Sequence, residues 1–179
     1  LDQPGERRSH AVATPRGGGI AIVVAVVMGC VWLGIIWPGQ RLFLSAYVAG
    51  LVLVAGIGWL DDHRPLTPWS RLAVQAVAGL ILALGTYVST QAWLPGIAAF
   101  VLVMVLVNVW NFMDGINGLA TSQAILVATG ISAVLAPGPL VWLAVGLSAA
   151  ACGFLPFNFP KARIFLGDVG RGAVGYQLA

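Results

Sequence analysis

The chain has 179 residues, 59% of them hydrophobic and only 8% charged, against the roughly 25% charged residues of a soluble globular domain. That balance excludes a water-facing single-core domain, a collagen and a disordered tail. The net charge of +3 comes without a basic stripe interleaved with aromatics, so nucleic acid is not an expected partner.

In chain order, apolar segments run at about 18 to 37, 42 to 60, 72 to 88, 96 to 113, 119 to 136 and 140 to 157, with a seventh beginning after 172. Each is near the roughly 20 residues that a helix needs to cross a bilayer core. The third is interrupted at its end by Ser89, Thr90 and Gln91 and rests on the stretch from Leu72 to Leu84. Turn chemistry separates the segments: Trp37-Pro38-Gly39, Pro65 to Pro68, Leu94-Pro95-Gly96 and Pro137-Gly138-Pro139. The predicted fold is all-α, a polytopic helical membrane protein with six transmembrane helices plus the start of a seventh. Residues 1–179 are read as a single integral membrane domain. A first residue that is Leu rather than Met, and a last segment that has only begun, predict a fragment of a longer protein. Cys30 and Cys152 each lie in an apolar segment and act as small hydrophobes; with two histidines they make a structural zinc site implausible.

The charges fall into four groups: Asp2, Glu6, Arg7, Arg8 and Arg16; Asp61, Asp62, Arg64 and Arg71; Asp114 alone; and Lys161, Arg163, Asp168 and Arg171. If the amino-terminal segment is cytoplasmic and every apolar segment crosses once, all four groups emerge inside and only Arg41 emerges outside. That is the bias of the positive-inside rule. No acid lies in the middle of a span, which argues against an ion-coupled transporter, since that mechanism uses ionisable groups near the midplane. The arrangement predicts a polar basin at the cytoplasmic interface, open both to a soluble molecule and to a lipid head group.

Three strings supply candidate chemistry. Asp61 and Asp62 close the second segment; adjacent carboxylates repel, so an unassisted pair raises one pKa or recruits a cation, which suits a general base or a divalent-metal site. Taken alone, the pair reads as readily as a solvated helix end. Asn108, Asn111 and Asp114 fall within an arc of about 120° on one helical face. They run into Gly115-Ile116-Asn117-Gly118, whose glycines let a backbone approach a ligand closely. Interhelical hydrogen bonding is the competing explanation. Asn158 through Gly172 combines Lys161, Arg163, Asp168, Arg171 and spaced glycines, the parts for holding a diphosphate with a magnesium ion. In the amino-terminal segment, Arg16 beside Gly17, Gly18 and Gly19 could meet a lipid phosphate; the Gly-Lys-Ser/Thr ending of a P-loop is missing.

Together these strings resemble a known family. Asp2-x-Pro4, Arg7 and Arg8, His10 and Pro15-Arg16-Gly17-Gly18-Gly19 come first. Asp61-Asp62-x-Arg64, Asn108-x-x-Asn111-x-x-Asp114-Gly-Ile-Asn117-Gly118 and Phe157-Asn158 follow, with Phe165-x-Gly167-Asp168-x-Gly170 last. The set is similar to the polyprenyl-phosphate N-acetylhexosamine-1-phosphate transferases, over essentially the whole chain. The Thr14-to-Gly19 and Asp61-to-Pro65 strings look closest to the branch that initiates O-antigen synthesis, and the peptidoglycan branch is the nearest alternative.

The resemblance implies transfer of a sugar 1-phosphate from a UDP-N-acetylhexosamine to undecaprenyl phosphate, with release of UMP. It implies Mg²⁺, or Mn²⁺ in its place, and a multi-pass protein of the bacterial plasma membrane with its active site on the cytoplasmic face. It leaves room for a homo-oligomer. By the same resemblance, Asp168 is the expected metal ligand, and Asp61 and Asp62 deprotonate or position the acceptor phosphate. Asn108, Asn111, Asp114, Asn117 and Asn158, with Arg16 and Arg64, are the expected substrate-binding residues. One departure stands out: where the family usually has Gly-Asp-x-Gly-Ser, this chain has Arg171, which either helps bind phosphate or weakens activity. A later histidine-rich loop and further helices of the family lie outside the 179 residues, so the fragment is expected to be inactive alone. The competing class is a non-catalytic membrane module that grips anionic or polyprenyl lipid; such binding gains nothing from the acids.

Overall fold

The computed structural model describes residues 14–179. Those residues form seven α-helices: α1 (Gly19–Ile36), α2 (Arg41–His63), α3 (Pro68–Thr90), α4 (Trp93–Met113), α5 (Leu119–Val134), α6 (Pro139–Asn158) and α7 (Gly167–Gln177), with one 3-10 turn at Pro38–Gln40. Among the described residues there is no strand, only a parallel bridge between Arg16 and Phe165. The chain is an all-α polytopic membrane protein. Asp2, Pro4, Arg7, Arg8 and His10 lie outside the described residues.

Five helices, α1 to α4 and α6, are long and apolar enough to cross a bilayer; α5 is apolar but has 16 residues. Lipid exposure explains why Met28, Trp32, Leu94 and Val134 stand free on the outer surface, a placement that water would penalise. Several boundaries differ from the sequence reading, and two of these bear on the polar residues. The second helix runs on through Asp61, Asp62 and His63, because the Arg64 N–H still finds the Leu60 carbonyl. The last helix starts at Gly167, five residues before the apolar signal, and has only 11 residues.

α7 is the pillar of the bundle. It is enclosed by α1, α2 and α4, while α3 packs outside α2 and α4, and α5 packs against α6. Its Ala173 and Tyr176 join a core with Leu51, Val54 and Val103, and its Val174 joins a second core with Ile22, Trp110 and Phe154. Among lipid tails no hydrophobic force draws helices together, so close backbone approach has to do it. Gly19 and Gly170 meet with no room for a Cβ on either side. A Cβ on Gly58 would lie 2.5 Å from the Asp168 carbonyl oxygen, and one on Gly175 would lie 2.5 Å from that of Leu106.

Candidate active site

The polar strings gather at one end of this bundle. The other end holds Arg41, whose Nε donates to the Gly34 carbonyl at 2.8 Å, and Gln40, whose side chain accepts from Ser89. The α2 C-terminus, the α4–α5 turn, the α6–α7 loop and the α7 N-terminus all meet at the polar end.

Asp61 and Asp62 occupy consecutive positions on a helix, so their side chains leave it about 100° apart. They face different helices. Asp61 turns toward α3, accepting from the Leu66 N–H at 2.7 Å and from Arg71 Nη1 at 2.9 Å. Asp62 turns toward α7, where Oδ2 accepts from the Val169 N–H at 3.4 Å. Arg16 Nη1 stands 3.7 Å from Asp62 Oδ1, with the Asp62 side chain only 6% exposed. The pair is therefore not unassisted, since each carboxylate has its own arginine. Asp62 also meets the partial positive charge that a helix N-terminus carries.

Asp168 lies in the first turn of α7, which Gly167 opens at φ +74°. Its Oδ1 accepts from Arg171 Nη2 at 2.8 Å, and the Nε of the same guanidinium is 3.5 Å from Asp114 Oδ2. Asp114 follows directly on α4, so Arg171 joins residues 54 positions apart into one cluster beside Asp62. Burial pushes the Asp114 carboxyl up to about 6, against the pull of Arg171. Burial raises Asp168 as well, again opposed by Arg171 and reinforced by the negative charge of Asp62.

In front of Asp168 opens a cavity of about 440 Å³ between α2, α3, α4 and α7. Of the predicted residues, Asp61, Asn108, Asn111 and Asp168 line it, with Trp69 and Phe112 as apolar walls. Asn108 is also engaged within the protein, donating to Gln75 Oε1 at 2.9 Å and to the Met104 carbonyl at 2.8 Å. The interhelical hydrogen bond that competed with a binding role is thus present, on a side chain that still faces the cavity. Gln75 and Arg71 belong to this site although the sequence did not single them out as functional. Gln75 is the one polar side chain between Leu72 and Leu84 and is buried; an amide there was the available signal.

Asp62, Asp114, Asn117, Asn158, Arg16 and Arg64 do not line the cavity. Arg64 is exposed just past the end of α2. Asn117 reaches the Pro160 carbonyl at 3.4 Å. Asn158, 1% exposed, accepts from the Gly118 N–H at 2.9 Å and from Thr121 Oγ1 at 3.4 Å, and it donates to the Ile164 carbonyl at 3.2 Å. It ties the α4–α5 turn, which carries Asp114, to the loop that leads into Asp168. Asn158→Ala is expected to destabilise the fold by about 2 kcal/mol, because it strands a buried backbone N–H. Thermal unfolding in detergent checks this, and an unchanged midpoint contradicts the clamp.

A carboxylate-lined cleft at one end of a bundle of membrane-crossing helices defines a class: polytopic helical membrane proteins with a polar site at one end. The sequence model of glycosyl transferase family 4 matches residues 44–179. The chain is 33% identical to the decaprenyl-phosphate N-acetylglucosaminephosphotransferase of Mycobacterium tuberculosis, over 98% of this chain and 51% of that protein. It is 30% identical to the probable undecaprenyl-phosphate N-acetylglucosaminyl 1-phosphate transferase of Bacillus subtilis, over 100% of this chain and 53% of the relative. It is 33% identical to the phospho-N-acetylmuramoyl-pentapeptide-transferase of Lacticaseibacillus paracasei, over 93% of this chain and 60% of the relative. The chain belongs to glycosyl transferase family 4, among the polyprenyl-phosphate N-acetylhexosamine-1-phosphate transferases. It spans about half the length of these curated relatives.

Proposed function

We propose that the protein transfers an N-acetylhexosamine 1-phosphate from a UDP-sugar to undecaprenyl phosphate at the cytoplasmic membrane face, beginning an O-antigen-like cell-envelope polysaccharide. A lipid phosphate oxygen attacks the sugar-bearing phosphorus of the donor. A new diphosphate bond forms, the bond from that phosphorus to the bridging oxygen breaks, and UMP leaves with that oxygen. The observation that carries the reading is the gathering of Asp62, Asp114 and Asp168, distant in sequence, at the polar end of the bundle, with Asp168 lining the cavity there. A lipid-gripping module has no use for such a cluster.

The residues suit Mg²⁺. Asp114 and Asp168 both contact the Arg171 guanidinium, although among the described residues no group of three or more His, Cys, Asp or Glu is placed to hold a metal ion. Mg²⁺ is commonly held by one or two carboxylates, with substrate phosphates and water completing the shell. Asp168, with Asp114, would hold it. The bound ion would offset the charge on the donor diphosphate and on the departing UMP. Arg71 and Asp61 shape the acceptor side, Gln75, Asn108 and Asn111 offer amides to the donor, and Trp69 and Phe112 exclude water. Preorganised positioning and charge compensation therefore carry the rate.

The test is UMP release by the whole protein in liposomes with undecaprenyl phosphate and either UDP-N-acetylglucosamine or UDP-N-acetylmuramoyl-pentapeptide. Turnover of the first alone is the expected result. Turnover of the second alone moves the protein to the peptidoglycan branch, a reading favoured by its 33% identity to the L. paracasei enzyme. Release from neither leaves the lipid-binding module.

A further inference from the structure

Among the described residues, the ion pairs of the four aspartates are uneven. Asp61 has Arg71 and Asp62 has Arg16, one cation for each carboxylate. Asp114 and Asp168 share Arg171, so this triad of two acids and one base has one net negative charge, which Arg16 offsets only from a distance. The guanidinium also fits its place unequally. It lies tight on Asp168 at 2.8 Å but 3.5 Å from Asp114, and its buried Nε is left without a hydrogen-bond partner among the described residues. A fixed structural arginine usually satisfies its donors in forked pairs; this one spans two acids and completes one contact.

We infer that Arg171 is a resident counter-cation, holding Asp168 and Asp114 together until a divalent ion displaces it. The arginine lies on the same helix as Asp168, one turn further on. Its flexible side chain can therefore withdraw from the carboxylates without moving the α7 backbone, against which Gly58 and Gly19 pack. Two consequences follow from one positive charge occupying the place where another must enter. The cluster stays assembled without metal, and the ion binds against electrostatic competition, more weakly than it would beside a small neutral residue. Position 171 thus sets the cation concentration at which the site fills. This rests on the metal assignment above but not on the identity of the sugar donor or on turnover.

The measurement is Mn²⁺ binding to the whole protein in lipid nanodiscs without substrates, read from the loss of the free-ion paramagnetic resonance signal, together with thermal midpoints with and without Mn²⁺. Arg171→Ser is expected to bind Mn²⁺ on the order of ten-fold more tightly than the unaltered protein. It should melt lower without the ion and regain more on adding it. Arg171→Gln, which keeps most of the side-chain length and loses the charge, should also bind more tightly, which covers the case that serine leaves a packing defect. Asp168→Asn should abolish the tight binding in the Arg171→Ser background. Equal or weaker Mn²⁺ affinity in both position-171 variants overturns the inference, as does tight binding that survives Asp168→Asn. A protein that shows the predicted affinities yet releases no UMP from any donor retains this inference and loses the transferase reading instead.

Discussion

Asp168→Asn is expected to lower UMP release by about 10³-fold, the scale seen when one preorganised electrostatic contact to a transition state is removed, with little change in folding. The reasoning is local. Asp168 projects from the first turn of a buried helix, lines the cavity and accepts one close bond, from Arg171. Asparagine has the same shape and can still accept that bond through its carbonyl, so the packing of α7 is untouched. What disappears is the charge: the Asp114, Asp168 and Arg171 cluster goes from one net negative charge to none, and with it goes the pull on a divalent ion. The check pairs turnover in liposomes with a thermal midpoint. Turnover within a few-fold of the unaltered protein would remove Asp168 from the metal site. A collapse of stability would instead make it a structural residue.

The second large effect is expected from a methyl group. Gly58→Ala places a Cβ 2.5 Å from the Asp168 carbonyl oxygen and 2.7 Å from the Val169 nitrogen, both backbone atoms that no rotamer change can move aside. α2 and α7 must part. The Asp62 bond to the Val169 N–H, already 3.4 Å long, is the first contact to break, and Asp168 moves with its helix. Overpacking of this kind typically costs about 1–3 kcal/mol. At the site, a displacement near 1 Å costs on the order of 10²-fold in rate. Gly56→Ala is the control: two positions earlier on the same helix, it is exposed and its Cβ would meet nothing within 4 Å. Replacing a helical glycine there should be neutral or stabilising by up to about 1 kcal/mol. Equal behaviour of the two variants, in midpoint and turnover, would mean that α7 is not seated on Gly58.

How much of this molecule the amino-acid order carries depends on the length scale of the physics. The spans were legible because a lipid-facing helix must satisfy its backbone internally and show apolar side chains for some twenty residues, a requirement that α1 to α4 and α6 each meet alone. The turns were legible for the same reason: Thr67 caps α3 through the Ser70 N–H with Pro68 in the first turn, a purely local event. The grouping of Asp61, Asp62, Asp114 and Asp168 at one end also followed from counting crossings. The sequence did not determine which way each carboxylate faces. Asp61 and Asp62 part company because the helix continues through them and α2 is rotated so that one meets α3 and the other α7. That rotation is set by the close approach of Gly58 to residues more than a hundred positions away. The same holds for α7, whose shallow apolar signal hid a pillar buried on nearly every side, and for Gln75 and Arg171, whose meaning lies in partners that only packing supplies. Hydropathy and turn chemistry are properties of single segments; a pocket is a property of how several segments are turned against one another, and only the folded bundle decides that.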